Sequence, residues 1–154
     1  MKYARGVVWI HSAANALCPH VEWALSKALG QPTRLAWSPQ PAQVGTRRAE
    51  YSWTGAPGTG ERLASALLGL GEIRFEVCED AAMRWAYTPS LGVHAAVMGP
   101  GGDLMVSEHR LRAAMDGAGD LRATVADLLG EAWDGELEPF RMAGEGAVWL
   151  HKVS

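Results

Sequence analysis

Residues 5–30, RGVVWIHSAANALCPHVEWALSKALG, decide the first part of the fold, because they read as a strand that runs directly into a helix. The segment RGVVWIHS is rich in β-branched and aromatic side chains, which is typical of a strand. Pro19 suits the first position of a helix, where its missing N–H would have had no partner, so Cys18 is the expected N-cap. Apolar residues then recur at helical spacing, and GQP at residues 30–32 is a strong stop signal.

The pattern continues into a complete motif within residues 5–79. Residues 33–38 (TRLAWS), 47–54 (RRAEYSWT) and 72–79 (EIRFEVCE) alternate polar with apolar side chains and predict three further strands. Residues 59–70 carry leucines and alanines at helical spacing and predict a second helix. The order β-α-β-β-α-β is that of the ferredoxin-like split βαβ motif, so we expect an antiparallel sheet with both helices on one face.

The second half, residues 81–154, is expected to extend this ferredoxin-like half, residues 1–80. Residues 84–89 and 91–99 predict strands, and residues 103–106 close a β-hairpin after the turn GPGG. Two helices are expected, from Ser107 to about Met115 and from the cap Asp120 to about Trp133, followed by a last strand over residues 147–153. The predicted fold class is therefore α+β in a single domain, residues 1–154. Two domains divided near residues 80–83 are the alternative.

Composition limits the classes of function. The 154 residues carry a net charge of −3, and positive and negative residues are interspersed without a run of lysines or arginines. Because the predicted open sheet face carries charges instead of aromatic rings, no nucleic acid is expected as a partner. No segment approaches ~18 uninterrupted apolar residues and no signal peptide is evident, so we expect neither a membrane span nor export. Two cysteines suit reduced thiols in the cytoplasm.

Cys18, His20 and Glu22, at the start of the first helix, form the first candidate site. A thiol at a helix N-terminus feels the positive end of the helix dipole, which can lower its pKa and populate the thiolate. His11, at the end of the preceding strand, is the more reachable base, because His20 at i+2 does not face Cys18 well. The other interpretation is that Cys18 simply packs, as most cysteines do. The sequence has no C-x-x-C or H-x-x-x-H pair, so we expect no metal and no cofactor.

The second candidate site is the sheet face turned away from the two helices. Its strands are expected to present a set of charged side chains: Arg34, Arg48, Glu50, Arg74 and Glu76. Such a charge lattice commonly does no more than solvate a face. It can also form the seam of a homodimer, or hold a carboxylate or phosphate between paired arginines. Glu22 is a further candidate binding residue.

The glycine-rich stretch GAPGTGERL, residues 55–63, ends in a helix N-terminus, where backbone N–H groups could hold an anion. It lacks the lysine of a phosphate-binding P-loop and does not fit G-x-G-x-x-G. A tight turn before a helix is therefore the favoured interpretation.

Three motifs carry a resemblance to a known family: RGVVxxHSA (residues 5–13), ALCPHVEWA (residues 16–24) and YTPSLG (residues 87–92). The chain resembles an actinobacterial family of uncharacterised proteins described as a domain of unknown function. The resemblance covers most of residues 4–115 and implies a cytosolic globular protein, with no activity, cofactor or catalytic residue to transfer. We expect a non-catalytic binding or regulatory module that can self-associate. The alternative is an enzyme with Cys18 as nucleophile and His11 or His20 as base.

Overall fold

A computed structural model describes residues 2–143 of the chain. In this part, seven strands form one antiparallel sheet in the order β2-β3-β1-β4-β5-β6-β7. The strands are β1 (Ala4–Ala14), β2 (Ser38–Pro39), β3 (Thr46–Gly55), β4 (Arg74–Glu79), β5 (Met83–Thr88), β6 (Gly92–Met98) and β7 (Leu104–Met105). The α+β class predicted from the sequence is thus confirmed. The predicted last strand at residues 147–153 lies outside the described residues.

Five helices accompany the sheet within residues 2–143. They are α1 (Cys18–Leu29), α2 (Thr59–Leu68), α3 (Glu108–Asp116), α4 (Leu121–Leu129) and α5 (Glu131–Ala143). A single 3₁₀ turn, Asn15–Leu17, joins β1 to α1. The N-cap of α1 is consequently Leu17, and Cys18 is the first helical residue, so the helix begins one position earlier than the sequence indicates.

The main core lies between one sheet face and the helices α1 and α2. Strand residues Val8, Ile10, Phe75 and Val77 are fully or almost fully buried there, and they pack against apolar residues of both helices: Val21, Leu25, Leu63 and Leu67. This arrangement follows from period-2 alternation in the strands and the apolar stripe of each helix. The expectation that α1 and α2 share one face of the sheet is therefore met.

Close contact between the two central strands depends on Gly6. A Cβ atom at this position of β1 would lie 1.8 Å from the carbonyl oxygen of Cys78 on β4, a distance that no side chain tolerates. Strands β1 and β4 pair antiparallel along Gly6–Ser12 and Arg74–Glu79. The glycine of the RGVV segment is thus required by packing.

The predicted strand at residues 33–38 is wrong over most of its length. Only Ser38 and Pro39 pair with β3. The preceding residues bond to side chains of α1 instead, because Leu35 N–H donates to Glu22 Oε2 (2.8 Å) and Thr33 N–H donates to Ser26 Oγ (2.8 Å). Because side chains of α1 accept these backbone N–H groups, the segment keeps its alternation of polar and apolar residues without pairing to a neighbouring strand.

The predicted helix from Asp120 to Trp133 is also wrong in its end point. Asp120 does cap α4, since its carboxylate accepts the Arg122 N–H, but Gly130 adopts a left-handed conformation (φ 75°) and ends the helix. A separate helix, α5, begins at Glu131 and continues to Ala143. Within residues 2–143, three helices thus follow β7, where two were expected.

Helix α5 lies on the sheet face opposite to α1 and α2. Its Trp133 donates from Nε1 to the Gly92 carbonyl (2.9 Å) and stacks near the His94 ring of β6. Its Leu137 is fully buried. The sheet face expected to be open is therefore partly covered, and this cover shapes the site described next.

Candidate functional site

The face covered in part by α5 contains a groove of about 480 Å³, which we call the α5 groove. Five strands and α5 contribute to it. Its floor is formed by His11, Glu76 and Arg141. Its volume falls within the range of roughly 300–1,000 Å³ that is usual for small-molecule sites.

A β-bulge in β1 presents His11 to the floor of the α5 groove. Ile10 pairs with Phe75 and Ser12 with Arg74, so His11 is the extra residue of β1 in this ladder. Bulges leave one residue unpaired and redirect its side chain. The carbonyl of His11 accepts a hydrogen bond from Gln40 Nε2 (2.7 Å), and the same amide donates to the Phe140 carbonyl of α5 (3.1 Å). The buried Gln40 therefore ties the bulge to α5.

Glu76 is the centre of a buried ionic network. Its Oε2 lies 2.7 Å from His11 Nε2 and accepts from Arg141 Nε (2.9 Å), while Oε1 accepts from Arg141 Nη2 (2.5 Å). Arg141 also bonds to Asp134 and Glu138 of its own helix. This bidentate guanidinium–carboxylate pair fixes α5 to the central strand β4.

The network changes the proton affinity of its members. Burial alone would raise the pKa of Glu76, but hydrogen bonds from His11 and Arg141 outweigh it and lower this pKa to about 2. Burial acts on Arg141 in the opposite direction, and the Glu76 carboxylate overcomes it, so the pKa of Arg141 is raised. Both side chains therefore carry their charges at neutral pH.

The sides of the α5 groove combine aromatic, sulfur-containing and charged groups. Trp9 lies beside Glu50, to which its Nε1 donates (2.6 Å). Arg48 lies on the same side, and Arg84, Cys78 and Met98 lie on strands β5, β4 and β6. Arg84 sits directly opposite Cys78 in the β4–β5 ladder and opposite Ala96 in the β5–β6 ladder. The groove thus brings polar groups together around an apolar surface.

The structure separates the residues of the first candidate site. Cys18 is buried in the core beneath α1, whereas His11 faces the α5 groove on the other side of the sheet. The Cys18 thiol donates to the Ala14 carbonyl (3.6 Å), and burial raises its pKa instead of lowering it. His20 is exposed on the first turn of α1. These three residues are not brought together.

The predicted charged face is assembled only in part. Arg48, Glu50 and Glu76 all line the α5 groove. Arg34 is exposed on the irregular segment before β2 and belongs to no strand. Arg74 lies at the start of β4, where its guanidinium stacks 4.4 Å from the Phe140 ring centroid and donates to Ser12 and Gln43.

Glu22 has a structural task. Its Oε2 accepts the Leu35 N–H and the Trp37 Nε1–H (3.2 Å), so it holds the segment between α1 and β2 against the helix. The Glu22 carboxylate gives the Leu35 N–H the acceptor that a neighbouring strand would otherwise have provided, so the fold needs it at this position. This engagement leaves Oε2 of Glu22 committed within the chain.

The glycine-rich stretch before α2 already holds an anion, the side chain of Glu79. Both carboxylate oxygens accept the Gly58 N–H (3.2 Å each), and Oε1 also accepts the Gly60 N–H (3.0 Å). A Cβ atom at Gly60 would lie 2.8 Å from the Trp85 ring, so only glycine fits there. An internal carboxylate thus fills the position that a ligand anion would take.

Two further features bear on the class of site. Among residues 2–143, no group of three or more histidine, cysteine, aspartate or glutamate side chains is placed to hold a metal ion. No helix of the described chain has the length and apolar character needed to cross a membrane.

Four residues of the α5 groove escaped the sequence interpretation: Trp9, Arg84, Met98 and Arg141. Trp9 shares the parity of His11 along β1, and Arg84 is paired with Cys78, so alternation and strand pairing could have placed both on the charged face. Arg141 carries no such signal, because it lies 65 residues from Glu76 on a helix that was not expected.

Comparison with known proteins gives one match. A family model described as "Protein of unknown function (DUF3145)" matches residues 7–152. No curated protein and no solved structure matches the chain.

Proposed function

The chain belongs to the DUF3145 family, proteins of unknown function, so membership indicates no catalytic or other specific activity, and we propose that it is a non-catalytic module that binds a small molecule in the α5 groove. The observation that carries the proposal is the buried Glu76 network at the floor of that groove. A carboxylate in a cleft whose pKa is strongly shifted by burial and by specific charged partners is a candidate functional group.

An ion pair is not the only kind of contact that could join α5 to the sheet. Well-packed hydrophobic residues in place of a buried ion pair are often neutral or stabilising by about 1–4 kcal/mol. Here the pair occupies a groove and not the main core, where Phe75 and Val77 of the same strand are fully buried. A function at this face accounts for the use of buried charges here, where apolar contacts could also have held α5 on the sheet.

We include the finer description of the fold in this proposal. Strand β3 lies between β1 and β2 and is antiparallel to both, and α1 connects β1 to β2, which supports a ferredoxin-like split βαβ arrangement. A single domain, self-association and a cytoplasmic location likewise remain predictions. Two free thiols support the reducing compartment.

The direct test is nuclear magnetic resonance on the full ¹⁵N-labelled chain. Trp9 lines the α5 groove and donates its indole N–H to Glu50, so its indole signal reports on occupancy. Four probes of similar size are added separately: benzyl alcohol, benzamidine, benzoate and phenyl phosphate. The Trp9→Phe variant assigns the signal.

We expect at least one probe to shift the Trp9 indole signal in a saturable way. Trp37, whose indole N–H donates to Glu22 of α1, is the internal control and should stay unshifted. If none of the four probes moves the Trp9 signal, or if Trp37 moves equally, the α5 groove is not a small-molecule site.

The alternative proposal, an enzyme with Cys18 as nucleophile, has less support. Catalytic thiols need access and a lowered pKa, whereas burial makes Cys18 inaccessible and raises its pKa. Its separation from His11 removes the base that was expected to activate it.

Alkylation with iodoacetamide tests this alternative. Cys78 is only partly buried, so we expect it to be modified first and more slowly than a free thiol, because burial raises its pKa too. Cys18 should react at an appreciable rate only after unfolding. Peptide mapping of the wild type and of Cys78→Ser gives the rates, and rapid modification of Cys18 in the folded chain at neutral pH would favour the enzyme.

A further inference from the structure

We propose that the ligand of the α5 groove is an anion, a carboxylate or phosphate monoester joined to an aromatic or other flat apolar body, with Arg84 as the residue that binds the anionic group. This inference rests on the proposed function, because it names the ligand class of the same groove. The argument proceeds from the charge of the groove, to the guanidinium that is available, and then to the apolar surface.

The sides of the α5 groove carry more positive than negative charge. Arg48 and Arg84 lie there with Glu50, whereas Arg141 at the floor is surrounded by the carboxylates of Glu76, Asp134 and Glu138. Positive charge at the sides of a cleft attracts anions and disfavours cations.

The charged groups of the floor and of one side already have partners. Glu76 uses both oxygens for Arg141 and His11, and Arg141 is further engaged by Asp134 and Glu138. Glu50 accepts the Trp9 indole N–H. These pairs position the floor and use its hydrogen-bonding groups, so the group that binds the charge of a ligand has to lie elsewhere in the groove.

Arg84 differs from these residues. Within the described part of the chain its guanidinium makes no hydrogen bond, ion pair or ring contact, although the side chain is partly buried and lines the groove. Its direct neighbours across the ladders, Cys78 and Ala96, offer no acceptor carboxylate. A guanidinium has five donors in a planar fork that matches a carboxylate or a phosphate. Within the described residues, the Arg84 guanidinium is therefore available to a ligand in the groove.

The rest of the ligand is indicated by the surface around Arg84. Trp9 presents a half-buried indole, and Met98 adds a flexible thioether, and both line the groove. Methionine and tryptophan make favourable contacts with aromatic rings. The volume of about 480 Å³ exceeds what a bare inorganic ion needs and is sufficient for a ring that carries an anionic group.

Titrations of the same four probes, followed at the Trp9 indole signal, test the ligand class. We expect benzoate or phenyl phosphate to bind more tightly than benzyl alcohol, and benzamidine, a cation of similar shape, to bind more weakly than benzyl alcohol. The tighter of the two anions identifies carboxylate or phosphate as the preferred group. Binding that prefers benzamidine would overturn the anion assignment and leave the groove itself as a ligand site.

The Arg84→Gln variant tests the residue. It removes the charge and keeps a polar side chain of similar reach, so we expect anion affinity to fall about tenfold or more and benzyl alcohol affinity to stay unchanged, since charge-assisted hydrogen bonds contribute about 1.5–3 kcal/mol. Arg84→Lys should recover part of the loss. Arg112→Gln, a charge removed from the exposed face of α3, is the matched control and should change nothing.

The outcomes separate the two proposals. Loss of anion binding in Arg84→Gln, with a wild-type pattern of amide signals elsewhere, supports the assignment. Equal anion affinity in wild type and Arg84→Gln overturns the role of Arg84. Failure of all four probes to bind contradicts the small-molecule function as well as the ligand class.

Discussion

At the residue scale, Glu76 determines the character of the site. It lies on a central strand whose alternate residues fill the main core, yet its own side chain is 9% exposed and forms ion pairs on the other face. An ionised carboxylate is expensive to bury unless it is paired and fully hydrogen-bonded. His11 and Arg141 satisfy that requirement, and both depend on structure distant in sequence, the bulge in β1 and the helix α5.

Substitution of Glu76 should be costly. In Glu76→Gln the guanidinium of Arg141 loses its bidentate partner in a mostly buried position, so we expect the free energy of unfolding to fall by about 2–4 kcal/mol. Glu138→Gln is the matched control, because Glu138 pairs with the same arginine from an exposed position. It should cost less than about 0.5 kcal/mol. Urea denaturation measures both losses of unfolding free energy. Equal losses would show that the buried Glu76–Arg141 pair stabilises the protein no more than the exposed Glu138–Arg141 pair.

The pKa of Glu76 also predicts an acid dependence of stability. A carboxyl whose pKa is lowered from 4.5 to about 2 on folding stabilises the protein fully above pH 4.5 and loses this contribution as the pH falls toward 2. The contribution is about 3 kcal/mol by proton linkage. The difference in unfolding free energy between wild type and Glu76→Gln should therefore shrink from pH 5 to pH 2. A difference that stays constant over this range would contradict the assigned pKa.

Sequence alternation reaches part of this site. It correctly places Arg48, Glu50 and Glu76 on one sheet face, because period 2 alone decides the face of a strand residue. It does not reveal that Glu76 is buried, since burial there is produced by Arg141, 65 residues later. The predicted helix N-terminus made Cys18 a candidate as well, but its burial under α1 depends on packing that the local sequence does not specify.

At the scale of elements, the least predictable features are those in which backbone groups bond to side chains. Residues 33–37 have a strand-like pattern, but Glu22 and Ser26 of α1 supply the hydrogen bonds that a neighbouring strand would have made. Helix α5 was missed for a related reason, because the break at Gly130 falls inside a continuous helical pattern. In both cases tertiary contacts override local propensity.

Gly130 is the element-scale position that can be tested. It has a left-handed φ of 75°, and an added Cβ would lie 2.9 Å from the His94 ring. We expect Gly130→Ala to lower the free energy of unfolding by about 2 kcal/mol, because it strains the backbone and displaces α5. His94→Ala in the same chain should relieve the ring contact and recover part of the loss.

Gly119→Ala provides the control for this test. Gly119 precedes α4, has no left-handed φ, and an added Cβ would meet nothing within 4 Å. It should be neutral or slightly stabilising, because alanine reduces the freedom of the unfolded chain. If both glycine variants behave alike in thermal unfolding, the close approach of Gly130 to the His94 ring of β6 is not as described.

At the scale of the whole molecule, the two sheet faces have different tasks. One face, with α1 and α2, contains the main apolar core, and the other carries α5, the ionic network and the groove. The α+β class and the shared face of the first two helices were predictable, because strand alternation and helical periodicity both follow from repeating local geometry. The cover over the second face was not, because it depends on the pairing of single charged residues across the chain.

The central claim is that the α5 groove binds an aromatic anion through Arg84, beside the buried Glu76 network. The most direct measurement is a crystal structure of the full chain grown with whichever of benzoate and phenyl phosphate binds more tightly in solution. The account predicts oxygens of its anionic group within hydrogen-bond distance of the Arg84 guanidinium and its ring against Trp9. An empty α5 groove, with that anion absent or held at other arginines, would contradict it.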